Sequence, residues 1–108
     1  MFEVKEYVDA QDRRPFRRWL DRLDGQAAMK VPAVLDRMGR GILSNTKSVG
    51  PGVLESRIDS GPGYRIYFGR DGATLIVLLG GGTKRLQQGD IETAKQLWRD
   101  YRRRRQEE

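Results

Sequence analysis

Residues 53–79, VLESRIDSGPGYRIYFGRDGATLIVLL, decide the fold. Val53–Asp59 alternates Val53, Glu55 and Arg57 against Leu54, Ser56 and Ile58, the period of two that a pleated strand imposes. Ser60-Gly61-Pro62-Gly63 is a turn, after which Tyr64–Gly69 sets Tyr64, Ile66 and Phe68 against Arg65 and Tyr67. Arg70-Asp71-Gly72 carries the Asp-Gly hairpin signal. Ala73–Leu79 is apolar on both faces, as a strand covered on two sides must be. Three strands in quick succession, joined by tight turns, form an antiparallel meander.

Upstream of the meander the period changes. Phe16, Trp19, Leu20 and Leu23 fall at i, i+3, i+4 and i+7, the stripe of an amphipathic helix, with Asp12 placed to cap it and Asp24-Gly25 to close it. A second stripe follows in Ala27/Ala28, Val31, Val34/Leu35, Met38 and Ile42. Pro32 lies inside it, where proline removes a backbone hydrogen bond, so the expected helix runs to about Arg40 with a disturbance at Pro32. Gly39–Gly52, rich in Gly, Ser, Asn and Pro, reads as a connection, and Phe2 and Val4 suit an opening strand. Downstream, Gly80-Gly81-Gly82 ends the third meander strand. Asp90 then caps a helix whose buried stripe is Ile91, Ala94, Leu97/Trp98 and Tyr101. The predicted class is α+β, in the order β-α-α-β-β-β-α, a small antiparallel sheet with helices packed on it. One domain spans residues 1–108, with 102–108 a basic, charged tail.

Composition limits the chemistry. Of 108 residues, 21 are Lys or Arg against 15 Asp or Glu, for a net charge of +6, and 16 of the 21 cations are arginine. There is no cysteine and no histidine. That excludes disulfides, thiolate nucleophiles, Cys-based metal sites, imidazole proton shuttles and Ser-His-Asp catalysis. No metal or cofactor is expected. Catalysis would fall to Lys, Arg, Tyr, carboxylates or hydroxyls, a menu suited to a polyanionic substrate. The first residues lack the apolar stretch of a secretory signal, and Leu75–Leu79 is far too short to cross a membrane. A cytoplasmic protein with no membrane association is expected.

Arg57 and Arg65 are equidistant from Gly61, so a hairpin centred there sets them opposite each other on one face, with Tyr67 beside Arg65. Two facing guanidiniums repel. Either a phosphate bound between them relieves the repulsion, since guanidinium matches phosphate oxygens bidentately, or Glu55 bridges them on a solvated face. Lys84, Arg85 and Gln87 follow the last strand and converge on the same place. GGGTKRLQQ (80–88) lacks the GxxxxGK[ST] spacing of a phosphate loop. Arg13, Arg14, Arg17, Arg18 and Arg22 lie off the apolar stripe of their helix and read as its solvated face. Arg102–Arg105 continue the last helix, and Arg102 and Arg103 are available for phosphate contacts.

GPGVLESRIDSGPGYRIYF (50–68) followed by LIVLLGGGTKRLQQGDIETAKQLWRDY (75–101) resembles the RelE/ParE toxin superfamily, in particular its HigB-like "addiction module killer protein" branch. The matching pattern there is a Gly-rich lead-in, Glu-Leu-Arg, Gly-x-Gly-Tyr-Arg-x-Tyr-Phe, Leu-Leu-x-Gly-Gly-x-Lys-x-x-Gln and Asp-Ile-x-x-Ala. The likeness runs over nearly the whole chain, and departs at Ser56, Thr83 and Leu86. It implies a RelE-like fold, a cognate helix-turn-helix antitoxin as partner, and a toxin that cleaves mRNA in the ribosomal A site as an mRNA interferase, inhibiting translation without metal. By position, Arg57, Arg65 and Lys84 match the family's basic active-site positions, with Tyr67 and Gln87 as neighbours. The expected catalytic set is Arg57, Arg65, Lys84 and Tyr67, and the cations Arg85, Arg102 and Arg103 join Gln87 as RNA contacts. The 2′-OH would attack the adjacent phosphorus, with Arg57 and Arg65 holding the developing charge. Lys84, its pKa lowered by those cations, would act as base, and Tyr67 would orient a base or the leaving group. Two other functions fit the same chain: a ParE-like inhibitor of DNA gyrase that cuts nothing, and a non-enzymatic basic protein that binds nucleic acid.

Overall fold

The computed structural model describes residues 1–107; residue 108, the last of the tail, lies outside the described residues. The chain forms β1 (Glu3–Glu6), α1 (Pro15–Arg22), α2 (Gly25–Ala28), α3 (Val31–Gly39), β2 (Thr46–Gly50), β3 (Val53–Ile58), β4 (Tyr64–Asp71) and β5 (Leu75–Thr83). A 3-10 turn (Lys84–Leu86) then leads into the 21-residue α4 (Gln87–Glu107). The sheet order is β1-β5-β4-β3-β2. β2 to β5 pair antiparallel, and β1 pairs parallel with β5, so the α+β class holds with a mixed rather than purely antiparallel sheet.

Strand alternation sends two apolar sets to opposite faces. One set, with Ile58, Ile66, Phe68, Ile76 and Leu78, packs under α1 and α3 against Phe16, Val31, Val34 and Met38. The other, with Val53, Tyr67, Val77 and Leu79, packs under α4 against Ile91, Ala94 and Trp98. Ile76 to Leu79 are all buried, as expected of a strand covered on both sides. Trp98 lies flat on the sheet because Gly69 beneath it has no side chain; a Cβ there would stand 2.4 Å from the indole.

Five boundary expectations are corrected. Asp12 does not cap α1; it sits at φ 63 in a turn. The helix starts at Pro15, whose fixed φ suits the first helical position, after Asp9 has accepted the backbone N–H groups of Gln11 and Arg13. Pro32 disturbs no continuous helix. The chain breaks into two, α2 capped by the Asp24 carboxylate on the Ala27 N–H, and α3 with Pro32 in its first turn, where the missing N–H has no partner to lose. The 39–52 connection contains an edge strand, β2, with a register shift between Ser48 and Gly50. Gly80–Gly82 do not end β5. A bulge at Leu79, facing the Tyr67/Phe68 step, lets the strand run on to Thr83. Asp90 is not an N-cap, because α4 already begins at Gln87. Among the described residues no helix is long and apolar enough to cross a membrane.

Candidate functional site

α4 covers its face of the sheet with an apolar stripe that runs out at one end of the strands, and there the sheet becomes polar. Two rows of side chains cross it. Arg57, Arg65 and Gly82 are successive register partners across β3, β4 and β5. In the next row Lys47, Glu55, Tyr67 and Gly80 are partners across β2 to β5. The hairpin thus sets Arg57 directly opposite Arg65, as its symmetry about Gly61 predicts.

The two arginines are not equivalent. Arg57 is exposed, and among the described residues it makes no ion pair. Arg65 is buried, and its Nε faces the Glu55 carboxylate Oε1 at 3.5 Å. Glu55 itself is 0% exposed. Its Oε2 accepts the Gln87 side-chain amide at 2.7 Å, and Lys47 Nζ lies 4.0 Å from Oε1. A carboxylate taken out of water needs such partners, since burying it alone is prohibitive. So Glu55 does bridge charges, but between Arg65 and Lys47 rather than between the arginines, with the Gln87 amide as a neutral donor, and from a buried position rather than on a solvated face.

Lys84 reaches the cluster through the backbone. Its N–H donates to the Gly63 carbonyl at 3.0 Å, the oxygen that also accepts Arg65 Nη1 at 3.4 Å. Gly63 sits at φ 81, a left-handed conformation costly for other residues, and a Cβ there would lie 3.5 Å from Arg65 Nη1. The Gly-Pro-Gly turn therefore carries the carbonyl that ties the Lys84 turn to Arg65. Lys84 and Arg85 are exposed, and among the described residues neither is in an ion pair.

Tyr67 is placed differently from its expected role. It is 1% exposed, and burial, followed by the adjacent Glu55 carboxylate, pushes its ionisation well above the ordinary value for tyrosine. So enclosed, the phenol shows almost no surface on this face. Gln87, read as an RNA contact, is the hydrogen-bond donor to Glu55. Arg102 and Arg103 are not brought to the cluster. They lie 15 and 16 residues along α4 from Gln87, about 22–24 Å at 1.5 Å per residue, and Arg103 is paired with Asp100 and Glu107. The α1 cations behave largely as a solvated face: Arg13 pairs with Asp9, and Arg14 and Arg17 with Glu6.

Two acids escaped sequence reading as site residues. Glu55 was visible only as a bridge between charges on a solvated face, and its burial was the missing fact. Asp90 presses its carboxyl over Gly82, the partner of Arg65, so closely that a Cβ on Gly82 would meet it at 1.9 Å. Burial raises the Asp90 pKa above the ordinary carboxylate value.

The class these features define is a small α+β protein with a basic cluster, backed by a buried acid, at the open end of a helix-covered sheet. The chain is 41% identical over 83 residues to an uncharacterized protein of Haemophilus influenzae, a match covering 76% of this chain and 84% of the relative, and it belongs to that protein's family. No family model matches the chain.

Proposed function

We propose that the chain is the toxin of a type II toxin–antitoxin module, a RelE-like endoribonuclease of the HigB kind that cuts mRNA on the ribosome. The observation carrying this reading is the Arg57–Arg65 cross-strand pair with the Lys84 turn bonded alongside it. Two exposed cations without acid partners flank a third whose guanidinium is held from below by a buried carboxylate. A phosphodiester laid across this end of the sheet meets all three. The meander, with a helical pair on one face and a long C-terminal helix on the other, is what supports the RelE-like description of the fold.

The chemistry is transesterification. The 2′-oxygen bonds to phosphorus as its proton passes to a base. The P–O5′ bond breaks and the leaving oxygen is protonated, giving a 2′,3′-cyclic phosphate and a 5′-OH. Arg57 and Arg65 stabilise the charge that develops on the phosphoryl oxygens, and proton transfer is assigned to Lys84. Tyr67 acts behind the site, lining the wall against which Glu55 lies, and Arg85 extends the phosphate contacts next to Lys84. Arg102 and Arg103 serve RNA outside the scissile step. A ribosome that holds the message in line supplies positioning that so small a protein lacks. The module places the protein in the cytoplasm with a helix-turn-helix antitoxin as partner.

Induced expression in bacteria, with transcript 5′ ends mapped by primer extension, tests the assignment. Wild-type protein is expected to produce new ends within translated regions, and an Arg57→Ala/Lys84→Ala protein to produce none at equal abundance. DNA damage and filamentation without transcript cleavage would identify a gyrase inhibitor instead. Salt-sensitive binding to free nucleic acid with neither effect would identify a non-enzymatic binding protein.

A further inference from the structure

The two oxygens of Glu55 point to two different parts of the site. Oε1 faces Arg65 Nε on β4, and Oε2 holds Gln87, the first residue of α4 and three residues beyond Lys84. Arg65 and Lys84 arrive from separate elements, and they share one further link, the Gly63 carbonyl. The Arg65 guanidinium is thereby held by one hydrogen bond, Nη1 to the Gly63 carbonyl, and by the ion-pair approach of Nε to Oε1, in which neither atom has a hydrogen-bond partner among the described residues. Glu55 itself has no solvent exposure, so its interactions are little screened.

We infer that Glu55 is a positioning residue: one buried carboxylate, ion-paired with Arg65 and hydrogen-bonded by Gln87, sets the Arg65 guanidinium and the Lys84 turn in a fixed relation. Its kinetic consequence rests on the nuclease reading above; the orientation of Arg65 does not. Groups that hold a catalytic side chain from behind typically change activity about tenfold to a hundredfold when altered.

The test uses Glu55→Gln, which keeps shape and hydrogen-bonding capacity but removes the charge, and the exchange Glu55→Gln/Gln87→Glu, which returns the charge to the same hydrogen-bonded pair. Turnover and KM on ribosome-bound message are measured beside thermal melting and the solvent exchange of the Arg65 Nε–H followed by NMR. Glu55→Gln is expected to melt cooperatively, to keep KM within about twofold, and to lose about tenfold or more in turnover, with faster Nε–H exchange. The charge exchange is expected to recover most of the turnover and the slow Nε–H exchange, a recovery that a purely structural role would not produce. Gln87→Ala, which leaves the buried ion pair intact, guards against a misfolded Glu55→Gln; it is expected to lower turnover while Nε–H exchange stays slow. A folded Glu55→Gln protein with wild-type turnover and unchanged exchange overturns the inference. If wild-type protein cleaves nothing, the nuclease reading fails, and the exchange measurements still decide whether Glu55 holds Arg65.

Discussion

Arg57 and Arg65 face each other in register, yet their thermodynamic roles differ. Removing Arg65 strands the fully buried Glu55 without its guanidinium, and breaking a buried ion pair from one side costs about 3–5 kcal/mol. Removing exposed Arg57 leaves no buried charge behind, so its effect should stay within about 0.5 kcal/mol. Urea denaturation of Arg65→Ala and Arg57→Ala checks both values. Loss of function in Arg65→Ala therefore reports folding as well as chemistry, whereas loss in Arg57→Ala reports chemistry. A second residue-scale prediction concerns Tyr7, whose hydroxyl donates to Asp100 across the start and end of the chain. Burial, and then the Asp100 carboxylate, push Tyr7 up to about 12 from an ordinary 10.0. Above pH 10 the unfolded chain releases this proton while the folded one keeps it, so the stability it confers is full below pH 10 and drains away up to about pH 12. Tyr7→Phe should show a shallower fall of unfolding free energy over that window. Tyr64 and Tyr67, also raised, keep the slope from vanishing.

Among the elements, α1 and α4 fit onto β4 and β5 through positions that lack side chains. Trp98 rests on Gly69, Trp19 on Gly81 and Asp90 on Gly82. Gly69→Ala would drive a methyl into the indole, and the overpacking should cost about 1–3 kcal/mol in thermal or urea unfolding, with the denaturant slope unchanged. This interlock explains which elements were legible. The meander was, because its alternation and its Asp-Gly turn are local signals, and Arg57 meets Arg65 as the spacing from Gly61 requires. The glycine run was not. Gly80–Gly82 look like a strand exit until one knows that helices approach from both faces, α1 through Trp19 and α4 through Asp90, and that the Leu79 bulge realigns the ladder. Pro32 misled for a related reason, since its place in a first turn depends on Asp24 having capped a separate α2. Asp24 also accepts the Tyr64 hydroxyl at 2.8 Å, a long-range contact with no trace in local sequence.

For the molecule as a whole, the net charge of +6 says less than where the charge has no acid beside it. Arg13, Arg14 and Arg17 at the start of α1 and Arg103, Arg104 and Arg105 at the end of α4 sit near carboxylates. Arg57, Lys84 and Arg85 at the open end of the sheet are instead exposed and in no ion pair among the described residues, as are Arg18 and Arg22 on α1. Spacing alone could bring Arg57, Arg65 and Lys84 together. It could not show that Tyr67 is enclosed, that Gln87 serves Glu55, or that Arg102 and Arg103 lie at the far end of a long helix, because each depends on how α4 crosses the sheet. The central claim is that the cluster of Arg57, Arg65 and Lys84 cuts ribosome-bound RNA. Its most direct test is single-turnover cleavage of end-labelled mRNA on purified ribosomes by wild-type protein and by Arg57→Ala/Lys84→Ala, with the products' end groups identified. The account predicts a 2′,3′-cyclic phosphate and a 5′-OH from the wild type. It predicts a rate at least about 10²-fold lower from the double variant at unchanged melting temperature. Cleavage by the folded double variant at the wild-type rate would contradict it.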